Sequence, residues 1–399
     1  MIIEGKLVHI PTIDPESDDD DEVDDHFLDA CSRGKSLAEF RFRVEEAIKG
    51  NYLFTTNDDD EDDRAHLWGV ALLHEEAADA AVLSKFLKAK RYKVHEAFTA
   101  LHRTLRWRAD FRPADEELAP PRDNAWFASG ADKEGRPLCY SVLGREYQRN
   151  LVSMGQQSCN EYLRWRLLCL EKGIRRLTFR PGGADSIVQI VDMRHAGGPT
   201  TKEMKLIGKK MIALLHDHYP GIIHKHLIIN VPSWFLTLNA LKLRLLTKRS
   251  KNKFIFVKQS RVTETLLKYA TIENILVQYG GLRRENDTEF TTEDKVLEAY
   301  IRANGTDLIQ IPVEAGVTVT WDITVIGYDV AYREEFVPED DCSYKILLQE
   351  KRMGEGMRNS FYIREAGKIV ISIVNHSFTR KKAFYRYKTK ASMIYRIHN

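Results

Sequence analysis

The spacing of apolar residues changes near residue 290, and that change demands two different architectures in one chain. Before it, apolar positions recur every three or four residues between short apolar runs. After it, helical spacing disappears. Val317, Val319, Trp321, Ile323 and Val325 alternate with Thr318, Thr320, Asp322 and Thr324. A period of two predicts a strand with one dry face and one wet face. Further short strands fit 308–312, 344–349, 361–364, 368–374 and 384–388. About eight short strands over roughly 100 residues predict an antiparallel β-sandwich, over 290–391.

The stretch 120–281 reads differently. Apolar runs at 138–143, 186–193, 226–231 and 254–258 are separated by helical patterns near 157–176, 200–218 and 233–246. Short, fully apolar strands alternating with helices predict a mostly parallel sheet covered by helices. Upstream, 66–115 reads as a helical lobe. Order is expected to begin near His66, Leu67, Trp68 and Gly69, with a helical pattern from Glu75 to Phe111. Val94, Phe98, Leu101 and Leu105 share one helix face, and Pro113, Pro120 and Pro121 end the unit. The fold class is therefore α+β and multidomain: helical lobe, α/β domain, antiparallel β-sandwich of jelly-roll type.

Charge is unevenly distributed. Residues 1–63 hold 20 acidic and 6 basic residues; the rest of the chain holds 38 acidic and 54 basic. DPESDDDDEVDD and TTNDDDEDD are like-charge blocks, so 1–63 reads as a largely disordered tail, with one possible short helix in SLAEFRFRVEEAIKG. The basic remainder suits anionic partners: lipid, nucleic acid or the tail itself.

Several function classes drop out. No apolar run approaches the ~18 residues that cross a bilayer, and the N-terminal residues lack the pattern of a secretory signal, which points to a cytosolic chain. Five scattered cysteines without a C-x-x-C read as reduced thiols. There is no phosphate-binding glycine loop, nucleophile elbow or H-E-x-x-H, and nothing marks an enzyme or a bound cofactor. HDHYPGIIHKHLIINVP places His216, His218, His224 and His226 as two H-x-H pairs. His216 and His218 diverge on a helix end, so a shared metal is not expected, and all four read as surface histidines.

Three stretches carry more information. FLKAKRYKV (86–94) sets cations beside apolar helix residues. The run 231–256 has Trp234, Phe235, Leu238, Leu241, Leu245 and Leu246 at helical spacing, then Lys248, Arg249, Lys251 and Lys253. It holds more apolar residues than one buried face needs, which suits a lid over an apolar cavity or a membrane contact, and equally an ordinary core helix. Residues 351–399 hold 12 basic and 2 acidic residues, and FTRKKAFYRYKTK interleaves them with aromatics. Nucleic acid and phosphoinositide membrane both fit that mixture.

These segments together resemble a known family. FLKAKRYKVHEAFTALHRTLRWR resembles the helical start of a CRAL-TRIO lipid-binding domain. LTFRPGGADSIVQIVDMR, YPGIIHKHLIINVPSWF and LVQYGGL resemble its sheet, gate and end. WDITVIGYDVAYREEFVP and NSFYIREAGKIVISIVNHSFTRKKAFYRYK resemble the GOLD β-sandwich that follows it in the plant patellins. The resemblance implies a non-enzymatic, phosphatidylinositol-transfer-like protein. It would be cytoplasmic and peripherally membrane-associated, with anionic membrane and trafficking proteins as partners, and active in membrane trafficking and cell division. It implies a phospholipid or phosphoinositide as ligand and no partner nucleic acid; a monomer is expected. Lys90, Arg91, Ser250 and Lys253 would hold the headgroup, and Trp234, Phe235, Leu238, Leu241 and Leu245 would form the gate helix. Arg380, Lys381, Lys382, Arg386 and Lys388 would face anionic membrane. The sequence departs from the family at Gly221, where a glutamate is usual, and at Lys242-Leu243-Arg244. The alternative is a trafficking adaptor that recruits proteins through its GOLD domain, with a vestigial pocket.

Overall fold

The computed structural model describes residues 30–50, 53, 66–72, 76–113, 125–144, 156–195, 202–233, 235–237, 252–340 and 344–391. The chain divides into units of residues 1–259 and 260–399.

The first unit begins with a helix the sequence only hinted at. Helix α1 (Ala30–Lys49) buries Phe40, Val44 and Ala47, spaced four and three apart on one face. It packs against α2 (Glu76–Ala89) and α3 (Val94–Phe111). Arg41 bonds the fully buried Asp79 across that contact at 3.0 Å. A packed helix therefore lies inside the stretch expected to be a largely disordered tail. A hairpin of β1 (His66–Leu67) and β2 (Val70–Ala71) turns at Trp68 and Gly69, both at positive φ, as a two-residue hairpin requires. The single helical pattern expected from Glu75 to Phe111 is two helices. Arg91 and Tyr92 adopt positive φ, and the Tyr92 N–H closes the end of α2 on the Leu87 carbonyl.

The sheet of this unit runs β3-β4-β5-β6-β7: Ala125–Ala131, Pro137–Val142, Ile187–Asp192, Ile223–Ile229 and Phe254–Phe256. Only β3, which the sequence pattern did not reveal, is antiparallel. The others are parallel neighbours in sequence order. Right-handed crossovers in that order put their connections on one face. Helices α4 (Gln156–Ile174) and α5 (Lys202–His218) are two of these connections and pack on each other.

The second unit carries α6 (Val262–Tyr269) and two antiparallel four-stranded sheets. One is ordered β13-β10-β15-β8: Met357–Tyr362, Val317–Val325, Lys381–Ala391 and Leu297–Ile301. The other is β12-β11-β14-β9: Ile346–Met353, Val330–Pro338, Gly367–Asn375 and Gly305–Val313. Val319, Trp321, Ile323, Tyr332, Phe336, Ile369, Ile371 and Ile373 fill the core between them. That core also holds the buried carboxylate of Glu334. Trp321 Nε1 (2.8 Å), Asn359 Nδ2 (2.7 Å) and the Tyr332 hydroxyl all donate to it. Three donors make such a burial tolerable.

The other face of β10 is not wet. Thr320, Asp322 and Thr324 are buried. Thr320 Oγ1 donates to Ser360 Oγ at 3.1 Å, and residues 280–294 of the same unit supply partners for the other two: Thr324 Oγ1 donates to the Gly280 carbonyl at 3.0 Å, and Arg284 bonds Asp322 at 2.7 Å. Hydrogen bonding to another segment replaces solvent here, which alternation alone does not reveal.

Candidate functional site

The α4 side of the five-stranded sheet is the candidate site. A Cβ built on Gly173 of α4 would lie 3.1 Å from Cys139 Sγ and 3.4 Å from Ile187 Cδ1, which fixes the face that α4 covers. Strand register then places Cys139, Gln189, His226 and Phe254 in one row on that face. Ser141, Val191, Ile228 and Phe256 form the next row, toward the carboxyl ends of the strands. On the opposite face the row of Tyr140, Ile190 and Leu227 is fully buried. By contrast, Val191, Ile228, Phe254 and Phe256 are only half-buried. The floor is thus polar at Gln189 and His226 in the first row, and apolar in the second row except for Ser141 at its β4 end. Ser141 Oγ is buried with no hydrogen-bond partner among the described residues.

The base of the expected gate sits on this floor. Phe235 and Leu236 bond back to the Pro232 carbonyl, forming a first helical turn. Phe235 is buried against Ile228 and Phe256, with Val231 and Met193 beside them. Tyr162, Trp165, Cys169 and Ile207 make an aromatic wall from α4 and α5. The other expected gate residues, Trp234, Leu238, Leu241 and Leu245, lie outside the described residues, as does Ser250.

Of the expected headgroup cations, Lys90 and Arg91 occupy the turn between α2 and α3, and Lys253 stands exposed at the start of edge strand β7. The turn geometry explains why two cations can sit there: Arg91 at positive φ ends α2 and leaves the helix face.

Two of the four histidines are not surface groups, whereas His216 is exposed as expected and His224 is half-buried. His218 is buried and stacks on Trp107 with ring centroids 4.4 Å apart; His226 stacks on Phe254 at 4.6 Å. Burial, followed by the charges of Lys253 and Arg166, pushes the His226 imidazole down to about 3. It is neutral at physiological pH, fit to accept or donate one hydrogen bond but not to pair with an anion. Among the described residues no group of three or more His, Cys, Asp or Glu is arranged to hold a metal.

The glycine at 221 also has a local cause. Its φ is +66°, and its carbonyl accepts a hydrogen bond from the buried Lys85 Nζ at 3.1 Å. Lys85 also pairs with Asp185 at 2.9 Å. Burial pushes the Lys85 ammonium down, ahead of the carboxylate that pulls it up. A side chain at 221 would pay the left-handed cost of roughly 1–2 kcal/mol. The Tyr-Pro-Gly turn thus serves the junction of helical lobe and sheet, where Tyr219 also donates to Glu171 at 2.6 Å.

Four of the five cations expected to face membrane are engaged within the second unit. Arg386 is 2% exposed and donates to Asp322 (3.1 Å), the Thr291 carbonyl (2.9 Å) and the Leu282 carbonyl (2.8 Å). Lys388 pairs with Asp294 at 2.7 Å, and Lys382 with Glu298 at 2.7 Å. Lys381 Nζ donates to the Tyr328 carbonyl. Phe290 takes Arg358, Arg386 and Lys388 around its ring at 5.0, 4.5 and 5.5 Å. The reading of Arg386 as a membrane contact is therefore corrected. Alternate residues of β15 point at the acidic segment 284–298, whose Asp287, Glu289, Asp294 and Glu298 neutralise them. Arg380, at the start of β15, stays exposed.

Sequence reasoning passed over Gln189, Ser141 and Lys85. A lone glutamine inside the apolar run IVQIVD was the available signal, since an apolar strand rarely spends a buried position on an amide without a use.

Residues 122–281 match the CRAL/TRIO domain, and 302–382 match the Patellin-1-like, C-terminal GOLD domain. The floor, its crossovers and the sandwich therefore define a CRAL/TRIO protein with a C-terminal GOLD domain. Patellin-4 of Arabidopsis thaliana is 39% identical over 354 residues, covering 86% of this chain and 65% of the relative. Patellin-6 of the same plant is 35% identical over 340 residues, covering 82% of each. The chain belongs to the patellin family. It is also similar to the phosphatidylinositol transfer protein SFH5 of Meyerozyma guilliermondii, 26% identical over 187 residues, covering 42% of this chain and 55% of that protein. Among the described residues no helix is long and apolar enough to cross a membrane.

Proposed function

We propose that this chain binds one phospholipid on the α4 face of its sheet and carries it between membranes, without catalysing a reaction. The observation that carries the reading is the graded floor: half-buried Val191, Ile228 and Phe256 in the row beyond the polar Gln189 and His226, with Ser141 at the β4 end of that outer row. A relative whose name states phosphatidylinositol transfer supports it. Moving a 16-carbon chain through water costs on the order of 12 kcal/mol, at about 0.8 kcal/mol per CH₂. A carrier removes that cost with an equally dry floor and a cover. The apolar run with Trp234, Phe235, Leu238, Leu241 and Leu245 is the cover we assign, hinged at Pro232. Acyl burial alone discriminates little between lipids, so selectivity falls to the headgroup cations Lys90, Arg91 and Lys253 and the hydroxyl of Ser250.

Lipid extraction and mass spectrometry of the purified chain test this. A bound phospholipid is expected, together with vesicle-to-vesicle transfer that falls at least tenfold in Val191→Trp/Ile228→Trp, which fills the floor with about four ring volumes of bulk. A chain that purifies empty and transfers nothing refutes the carrier reading.

A further inference from the structure

At one end of the sandwich, three turns lie together: 302–304, 326–329 and 376–380. The Asn304 N–H bonds the Ser377 carbonyl at 3.1 Å, and Lys381 Nζ reaches the Tyr328 carbonyl. The outermost side chain there is Phe378, 90% exposed; the next most exposed large apolar side chain among the described residues, Phe42, is 60% exposed. The turn that carries it is stiff. Asn375, fully buried, donates to the Arg302 carbonyl (3.0 Å) and the Thr379 carbonyl (2.9 Å). Its own Oδ1 accepts from the Ser377 N–H (3.0 Å) and hydroxyl (2.7 Å). A benzyl group is thus held in water on a preorganised tip, at a cost in hydration that the fold does not recover.

Cations predominate on the turns of that tip, where the one carboxylate of 326–329, Asp329, is paired with Arg352. Arg380 lies over the Tyr300 ring at 4.1 Å and makes no ion pair among the described residues. Arg302, on the adjoining turn, is 78% exposed and only loosely paired with Asp307 at 3.8 Å. His376 is exposed on the same turn. A single convex aromatic flanked along the chain by Arg380 does not offer the broad, flat area a protein interface needs. It does fit a soft, anionic, apolar-cored partner.

We infer that Phe378 is a wedge that enters the interfacial zone of an anionic bilayer while Arg380 and Arg302 contact lipid phosphates. The inference rests on the reading that this chain works at membranes, and it adds the place of contact. It also replaces the basic strand face, whose cations are already neutralised, as the membrane-binding element of the sandwich. The aromatic supplies apolar burial and the arginines supply attraction to the surface. Because the tip is already ordered, little entropy is lost on insertion.

The test uses the full chain with phosphatidylcholine vesicles, with and without phosphatidylserine. Phe378→Ala should lower the partition coefficient on phosphatidylserine vesicles about tenfold, with an unchanged melting temperature, since the side chain has no packing to lose. Arg380→Glu should lower it comparably at low salt and much less at high salt. Phe378→Trp should retain binding and gain fluorescence that brominated acyl chains quench, above the background of the native tryptophans. Unchanged vesicle affinity in Phe378→Ala, or an added tryptophan that brominated lipid fails to quench, overturns the wedge; a tip that serves a protein partner gives that same result. Co-purified phospholipid, measured on the same variants, separates this failure from failure of the carrier reading: it should be unaffected by every substitution at the tip.

Discussion

His226 shows how far one side chain can couple the floor to solution conditions. Its folded value is pushed down to about 3 by burial, with Lys253 and Arg166 adding to the effect. In the unfolded chain it titrates near 6.5. Below that pH the unfolded state binds a proton the folded state refuses, so stability falls as pH drops from about 6.5 toward 3, by roughly 1.4 kcal/mol per pH unit. Phe at this position keeps the stack on Phe254 and removes the titration. Between pH 6.5 and 5, wild type should therefore lose roughly 2 kcal/mol more than His226→Phe, read from urea midpoints. Equal losses would mean that water reaches the imidazole and that the floor is wetter than its burial implies. The neighbouring Gly221 makes a related point. The missing glutamate is a backbone matter first, because φ of +66° at the Lys85 contact favours glycine.

Strand β15 separates what the sequence made legible from what it did not. Its alternation was readable, and so were the parallel strands and the sandwich, because burial on one or both faces leaves its period in the residues. What the cations of β15 faced was not readable. A solvent-facing row and a row facing an acidic segment have the same alternation; only the pairing of 284–298 with β10 and β15 distinguishes them. The same ambiguity hid the partners of Asp322 and Thr324. Strand β3 escaped notice because AWFASGA is glycine-containing, carries no alternating pattern and is only half-buried. At the site, the excess of leucines in 234–246 is a sequence signal whose gate role stays a proposal, whereas the polar pair Gln189 and His226 gave no signal as a pair, since the row assembles one residue from each strand. If β15 is a clamp, Arg386→Gln should cost roughly 2–3 kcal/mol of stability, because Asp322 and two carbonyls lose a buried donor. Its affinity for anionic vesicles should not change. Thermal unfolding beside vesicle co-sedimentation decides it: lost binding with intact stability would restore the membrane-facing role.

On the scale of the whole chain, charge separation poses a question of regulation that α1 sharpens. Residues 1–63 carry most of the acidic excess, but not all of that stretch is dispensable. Phe40, Val44 and Ala47 are buried among the helices of the first unit, and removing a phenylalanine and a valine from a core forfeits roughly 3–6 kcal/mol of burial. Residues 1–29 hold 11 acidic residues and one basic residue, enough to compete with anionic lipid for a basic body. Such competition acts over about 10 Å at 0.1 M salt and fades above it. Deleting 1–29 should therefore raise affinity for phosphatidylserine vesicles several-fold at low salt, leave it unchanged at high salt, and leave the melting temperature where it is. Deleting 1–63 should instead lower the melting temperature by several degrees, for want of α1. Co-sedimentation and calorimetry on the two truncations check both halves. A shorter deletion that binds vesicles no better at any salt removes self-inhibition by the acidic segment, and a longer deletion that melts like the full chain removes α1 from the core.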